Sequence, residues 1–157
     1  MLKRESKLGL IMVTILVMLF TMSAGVEADY WYNAGKVFLD ITNNMYEVKS
    51  DFDKLPNSSI SASAFLDRIS KHKRTALDNL EKIIKLVDRA PDKTLHAEMV
   101  GLIADWYLAV QLLEDGIKKD NMDKLKSAIT VMNFFGERVS EIESRIKQKI
   151  GRGEKEE

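Results

Sequence analysis

Apolar residues recur at steps of three or four along most of the chain. Phe38, Ile41, Met45, Val48, Phe52 and Leu55 form the first such series, and that spacing keeps side chains on one face of a helix. Pro56 ends this predicted helix, because proline lacks the amide proton a helix interior requires. Asn57-Ser58-Ser59-Ile60-Ser61 reads as a polar connection. A second series, Ala62, Phe65, Ile69, His72, Ala76, Leu80, Ile83 and Val87, predicts a helix from about Ser61 to Arg89. Ala90-Pro91-Asp92 interrupts the pattern, with Pro91 suited to a first helical turn and Asp92 to the positive end of the next helix dipole. The third predicted helix runs to about Lys119. The fourth carries Met122, Leu125, Ile129, Met132, Phe135, Val139, Ile142, Ile146 and Ile150, and Gly151 is expected to stop it.

Four amphipathic helices of roughly 40 Å, at about 1.5 Å per residue, joined by short connections, predict an all-α, antiparallel up-down four-helix bundle with coiled-coil-like seams over residues 29–150. No segment shows the alternation of a strand. Residues 151–157 read as a charged flexible tail.

The N-terminus follows a different pattern. Lys3, Arg4 and Lys7 precede an apolar run from Leu8 to Val26, nineteen residues interrupted by little more than Gly9, Thr14, Thr21 and Ser23. Residues 1–28 are therefore expected to be a secretory signal peptide cut after Ala28, or an uncleaved transmembrane anchor helix through residues 8–26. Both readings stay open, and both place the remainder outside the cytoplasm, because the basic flank holds the N-terminus inside. Tyr30-Trp31-Tyr32 then lies either in the headgroup layer or at the start of the first soluble helix.

Composition narrows the functional classes. The 157 residues contain 24 Lys+Arg, 24 Asp+Glu and no Cys, which excludes disulfides and thiolate metal sites. A neutral chain also lacks the cationic surface that attracts nucleic acid. No nucleophile elbow, Walker loop or His-Glu-x-x-His is present, so no catalytic residues are expected.

Three features could carry function. The third helix is apolar over too wide an arc for one seam, with Asp105 and Gln111 the only strongly polar side chains between Met99 and Leu113. Val100, Ile103, Trp106, Tyr107 and Val110 are the expected face for a partner, a second copy or an apolar ligand, set against the alternative that this helix is simply the most enclosed. His72 interrupts an apolar stripe at the height of Met45 on the antiparallel first helix. In those two residues alone the chain resembles a periplasmic b-type four-helix cytochrome, which would imply axial haem ligation by Met45 and His72. A lone histidine on a stripe is more often a polar core residue, and no cofactor is expected overall. Asn57-Ser58-Ser59 fits the N-glycosylation pattern.

The remaining polar groups read as solvation. His96, in the first turn of the third helix, and the Glu98/Asp105 stripe are expected at the surface. Arg68, Lys71, Lys73 and Arg74 are expected to be compensated by neighbouring acids. The leading expectation is an exported or membrane-tethered interaction protein that works by binding. The alternatives are a carrier of a cofactor or apolar molecule, and a sensor similar in architecture to extracytoplasmic four-helix ligand-binding modules, which would need a separate output subunit.

Overall fold

The computed structural model describes residues 26–54 and 60–153. The apolar run up to residue 25, Asn57 and the last four residues lie outside the described part. Four long helices make up the described chain: α1 (Val26–Lys54), α2 (Ala62–Ile84), α3 (Lys93–Lys118) and α4 (Met122–Gly153), with a 3-10 turn at Val87–Arg89 between α2 and α3. No strand occurs among the described residues. No described helix is long and apolar enough to cross a membrane.

Local chemistry sets the boundaries. Ser61 caps α2 by accepting from the Ala64 amide at 3.2 Å, and Asp92 caps α3 by accepting from the Leu95 amide at 2.9 Å. Because Asp92 is the cap, Pro91 lies before the helix instead of in its first turn. α2 also stops at Ile84, earlier than its apolar pattern suggests, and the chain tightens into the 3-10 turn through the Leu86 amide bonding to the Ile83 carbonyl. The α3–α4 turn is a Schellman motif. Asn121 N–H bonds the Gly116 carbonyl at 2.8 Å and Asp120, in the left-handed region at φ 46°, bonds that of Ile117. Asn121 then caps α4 through the Lys124 amide at 3.0 Å. Gly151 does not stop α4, which continues to Gly153.

Consecutive helices pack side by side along their lengths, whereas α1 and α4 touch over a short stretch only. Ion pairs fix the antiparallel levels: Arg89 meets Asp29 at 3.4 Å, Lys149 meets Asp92 at 2.7 Å, and Arg145 reaches Glu98. The core is built from the predicted stripes, with Phe38, Ile41, Phe65, Ile69, Ile83, Phe135, Val139, Ile142 and Ile146 all buried. Two expected seam residues of α4 are not. Met122 and Ile129 are 60% and 41% exposed, and Ala128 takes the core position instead. The shortness of the α1–α4 contact leaves that flank of α4 uncovered.

Candidate functional site

α3 is the central helix, packed against both α2 and α4, and this enclosure accounts for its broad apolar arc. Leu95, Met99, Leu102, Ile103, Trp106, Ala109, Val110 and Leu113 are all in the core. Three residues of the expected partner face, Ile103, Trp106 and Val110, are thus interior and offer no surface. Val100 and Tyr107 are half-buried at the rim of the α2–α3 seam.

The seam begins at a polar cluster. Glu114 is almost fully buried and accepts from Ser70 Oγ at 2.7 Å, from Lys118 Nζ at 2.6 Å and from Lys73 Nζ. Burial alone would raise its pKa, but these donors hold the carboxyl down at about 2. Seven residues is two helical turns, about 10.5 Å on the same face. Stepping by seven from Ser70 reaches Leu77 and Ile84, and from Lys73 it reaches Leu80. Stepping back from Glu114 reaches Tyr107 and Val100. Beyond the charged cluster the seam therefore surfaces as an apolar stripe, with Leu77 37% and Ile84 49% exposed and Leu80, Tyr107 and Val100 half-buried. Sequence reasoning found the α3 side of this stripe but missed the α2 side, because Leu77 and Ile84 each lie one residue round from the buried Ala76 and Ile83.

A second polar assembly lies between α1 and α2. Trp106 Nε1 donates to Asn44 Oδ1 at 2.8 Å, Asn44 Nδ2 lies 3.0 Å from His72 Nδ1, and His72 Nε2 lies 3.4 Å from Asp51 Oδ2. The indole nitrogen can only donate, so the Asn44 oxygen faces it and its amide group faces His72. His72 Nδ1 must then accept, and its Nε2–H donates to Asp51. Arg68 donates to Asp51 Oδ1 at 2.7 Å and Lys54 at 3.3 Å. Burial works against the Asp51 carboxylate, yet these partners, Arg68 foremost, hold its pKa below the usual range. Tyr46, Glu47, Ser50, Lys54, Lys71 and Arg68 surround this pair in an open groove of about 540 Å³.

His72 therefore sits on the seam as its spacing suggested, but its partner at that height is Asn44. Met45, one residue on, is only half-buried against the core. With both His72 ring nitrogens already hydrogen-bonded to protein, the imidazole does not fit axial haem ligation in this arrangement. Among the described residues no group of three His, Asp or Glu side chains is placed to hold a metal ion.

Other residues were misjudged from sequence. His96 is buried, with Nδ1 2.9 Å from the Tyr30 hydroxyl and Nε2 without a partner. Burial pushes its pKa below the ordinary value and, with the charge of Asp92 adding, pushes Tyr30 up to about 12. Tyr30 and Trp31 lie in the core, so of the aromatic trio only Tyr32 reaches the surface. Glu98 pairs with Arg138 and Arg145, and the basic residues Arg68 and Lys73 are indeed neutralised by Asp51 and Glu114. The seven-residue spacing of Asn44 and Asp51 on α1 was the available signal for the His72 assembly. Compared with protein-family models, curated proteins and solved structures, the chain matches none.

Proposed function

We propose that the chain is an extracytoplasmic helical bundle, held at the cell membrane by residues 8–26 with its N-terminus in the cytoplasm, that works as an interaction protein and not as a catalyst. Its docking surface is the α2–α3 stripe, and its first partner is a second copy of itself. The observation that carries this reading is the run of Leu77, Leu80, Tyr107 and Val100 along one seam beyond the Ser70–Glu114–Lys73 cluster. Tethering confines copies to one plane with a common orientation, and a stripe that faces its own copy across a two-fold axis needs no other complement.

The test is sedimentation of the full chain in detergent or nanodiscs, beside Tyr107→Glu. Association of the wild type that Tyr107→Glu abolishes, with unchanged helical circular dichroism, supports the reading. A wild type that stays monomeric across the accessible concentration range overturns it. Ile103→Glu is the control for the core and is expected to unfold the bundle, since Ile103 is fully buried.

A second reading, a carrier of a small polar ligand, draws on the groove around His72 and Asp51. Its charged rim of Glu47, Lys54, Arg68 and Lys71 suits a ligand bearing both charges. Isothermal titration with a panel of zwitterionic amino acids, repeated on Lys71→Glu, tests it.

A further inference from the structure

We propose that the end of the bundle at which α1 enters lies in the headgroup layer of the bilayer, with Ile84 and Val87 against the lipid and the neighbouring basic side chains on lipid phosphates. The proposal rests on the tethered reading above. The apolar run ends at Val26, and Val26 is already helical as part of α1. No linker residue therefore separates the apolar segment from the bundle.

The packing fixes what else stands at that level. Arg89 meets Asp29 at 3.4 Å, so the 3-10 turn lies level with a residue three positions after Val26, about 4.5 Å along the helix axis. The headgroup region on each side of the hydrocarbon core is about 5–8 Å deep. The 3-10 turn, the last turn of α2 and the start of α3 are thereby brought into or beside that layer. Lys149, paired with Asp92 at 2.7 Å, brings the last turns of α4 to the same end.

The residues presented there suit an interface. Ile84 is 49% exposed and Val87 44% exposed, an arrangement costly in water and neutral or favourable against acyl chains. Lys82, Lys85 and Lys93 are exposed around them, and their long stems allow the charge to reach phosphate while the methylenes lie along apolar surface. Of the five acids in the same region, Asp29 and Asp92 are held by Arg89 and Lys149, leaving Glu27, Glu81 and Asp88. Tyr32, about 9 Å beyond Val26 along α1 and exposed, stands at the outer edge of the layer, where an amphipathic ring is favoured.

The chain has no cysteine, so single-cysteine variants carry one label each. Ile84→Cys, Val87→Cys and, at the opposite end, Lys119→Cys are made in the full chain, spin-labelled and reconstituted in vesicles of phosphatidylcholine and phosphatidylglycerol. Power saturation against oxygen and a water-soluble nickel chelate is then read. The expected result is a several-fold higher ratio of oxygen to nickel accessibility at 84 and 87 than at 119. Labels at 84 and 87 as water-exposed as the label at 119, in protein whose intact mass starts at Met1, overturn the proposal and leave the tether standing. Host-produced protein that begins at Asp29 and washes off the membrane overturns the tether, and this proposal with it.

Discussion

The indole nitrogen of Trp106 donates to the side-chain oxygen of Asn44 at 2.8 Å, and this bond sets the direction of every bond after it. Asn44 is a buried amide with a donor and an acceptor end, and Trp106 can satisfy only the acceptor. The donor end is left for His72, which is thereby turned to present its Nε2–H to Asp51. One bond between α1 and α3 thus orients a histidine on α2 and links three helices through polar groups in a region otherwise filled by aliphatic and aromatic side chains.

Asn44→Ala strands two buried groups, the Trp106 N–H and the His72 Nδ1 lone pair. Each unsatisfied group costs about 1–3 kcal/mol, so the variant is expected to lose several kcal/mol in urea unfolding. Trp106→Phe removes the donor itself and leaves only the Asn44 oxygen stranded, and is expected to cost less in hydrogen bonding. Equal losses for both, after allowing for the smaller ring, would show that the network does not direct the fold in this way.

The apolar framework was legible because its information is local. Steps of three and four identify Phe65, Ile69, Phe135 and Ile142 without knowledge of their neighbours. What spacing does not encode is which flank of a stripe a neighbouring helix covers. Ile129 obeys the pattern and is exposed because α1 touches α4 only over a short stretch. The polar core was illegible for a related reason, since Asn44, Asp51, Glu114 and His96 become interior only when another helix supplies the matching group. Gly151 shows a third limit. Glycine ends a helix where the chain adopts the left-handed region, and α4 does not do so there; in the α3–α4 turn that conformation falls on Asp120 instead.

Glu114 makes acid stability asymmetric. Its pKa falls from an ordinary 4.5 to about 2 on folding, so its contribution is complete above about pH 4.5 and is lost as pH drops through that window toward 2. The effect is on the order of 3 kcal/mol. Urea midpoints measured from pH 7 to 2.5 should fall more steeply for the wild type than for Glu114→Gln, which starts less stable because Lys73 and Lys118 lose their counter-charge. Parallel curves would remove Glu114 from the account.

His96 acts at milder pH and by the opposite chemistry. Its folded pKa lies below the ordinary 6.5 because burial disfavours the imidazolium, and Nε2 has no partner to receive the charge. The unfolded chain therefore takes up the proton first. Stability is full above about pH 6.5 and declines as pH falls below it. Replacing the ring by a neutral amide in His96→Gln should flatten the difference between pH 7.5 and 5.5. A variant that loses stability over that interval as fast as the wild type would show that His96 is not its source.

Two glycines separate packing from helix propensity. At Gly101, exposed on α3, an added Cβ meets nothing within 4 Å, so Gly101→Ala should realise the propensity gain of about 0.8–1 kcal/mol. At Gly116, buried near the end of the same helix, the new carbon would lie 2.6 Å from Leu125 Cδ2, 2.8 Å from its Cγ and 3.1 Å from its backbone nitrogen. The Leu125 side chain can turn aside, but its backbone is held by the bond from its amide to the Asn121 carbonyl at 3.2 Å. Overpacking of this kind costs about 1–3 kcal/mol and outweighs the propensity gain, so Gly116→Ala is expected to destabilise by up to about 2 kcal/mol once the two are combined. Thermal melts of the two variants should move in opposite directions, and a Gly116→Ala protein as stable as Gly101→Ala would mean that the α3–α4 turn yields more readily than its hydrogen bonds imply.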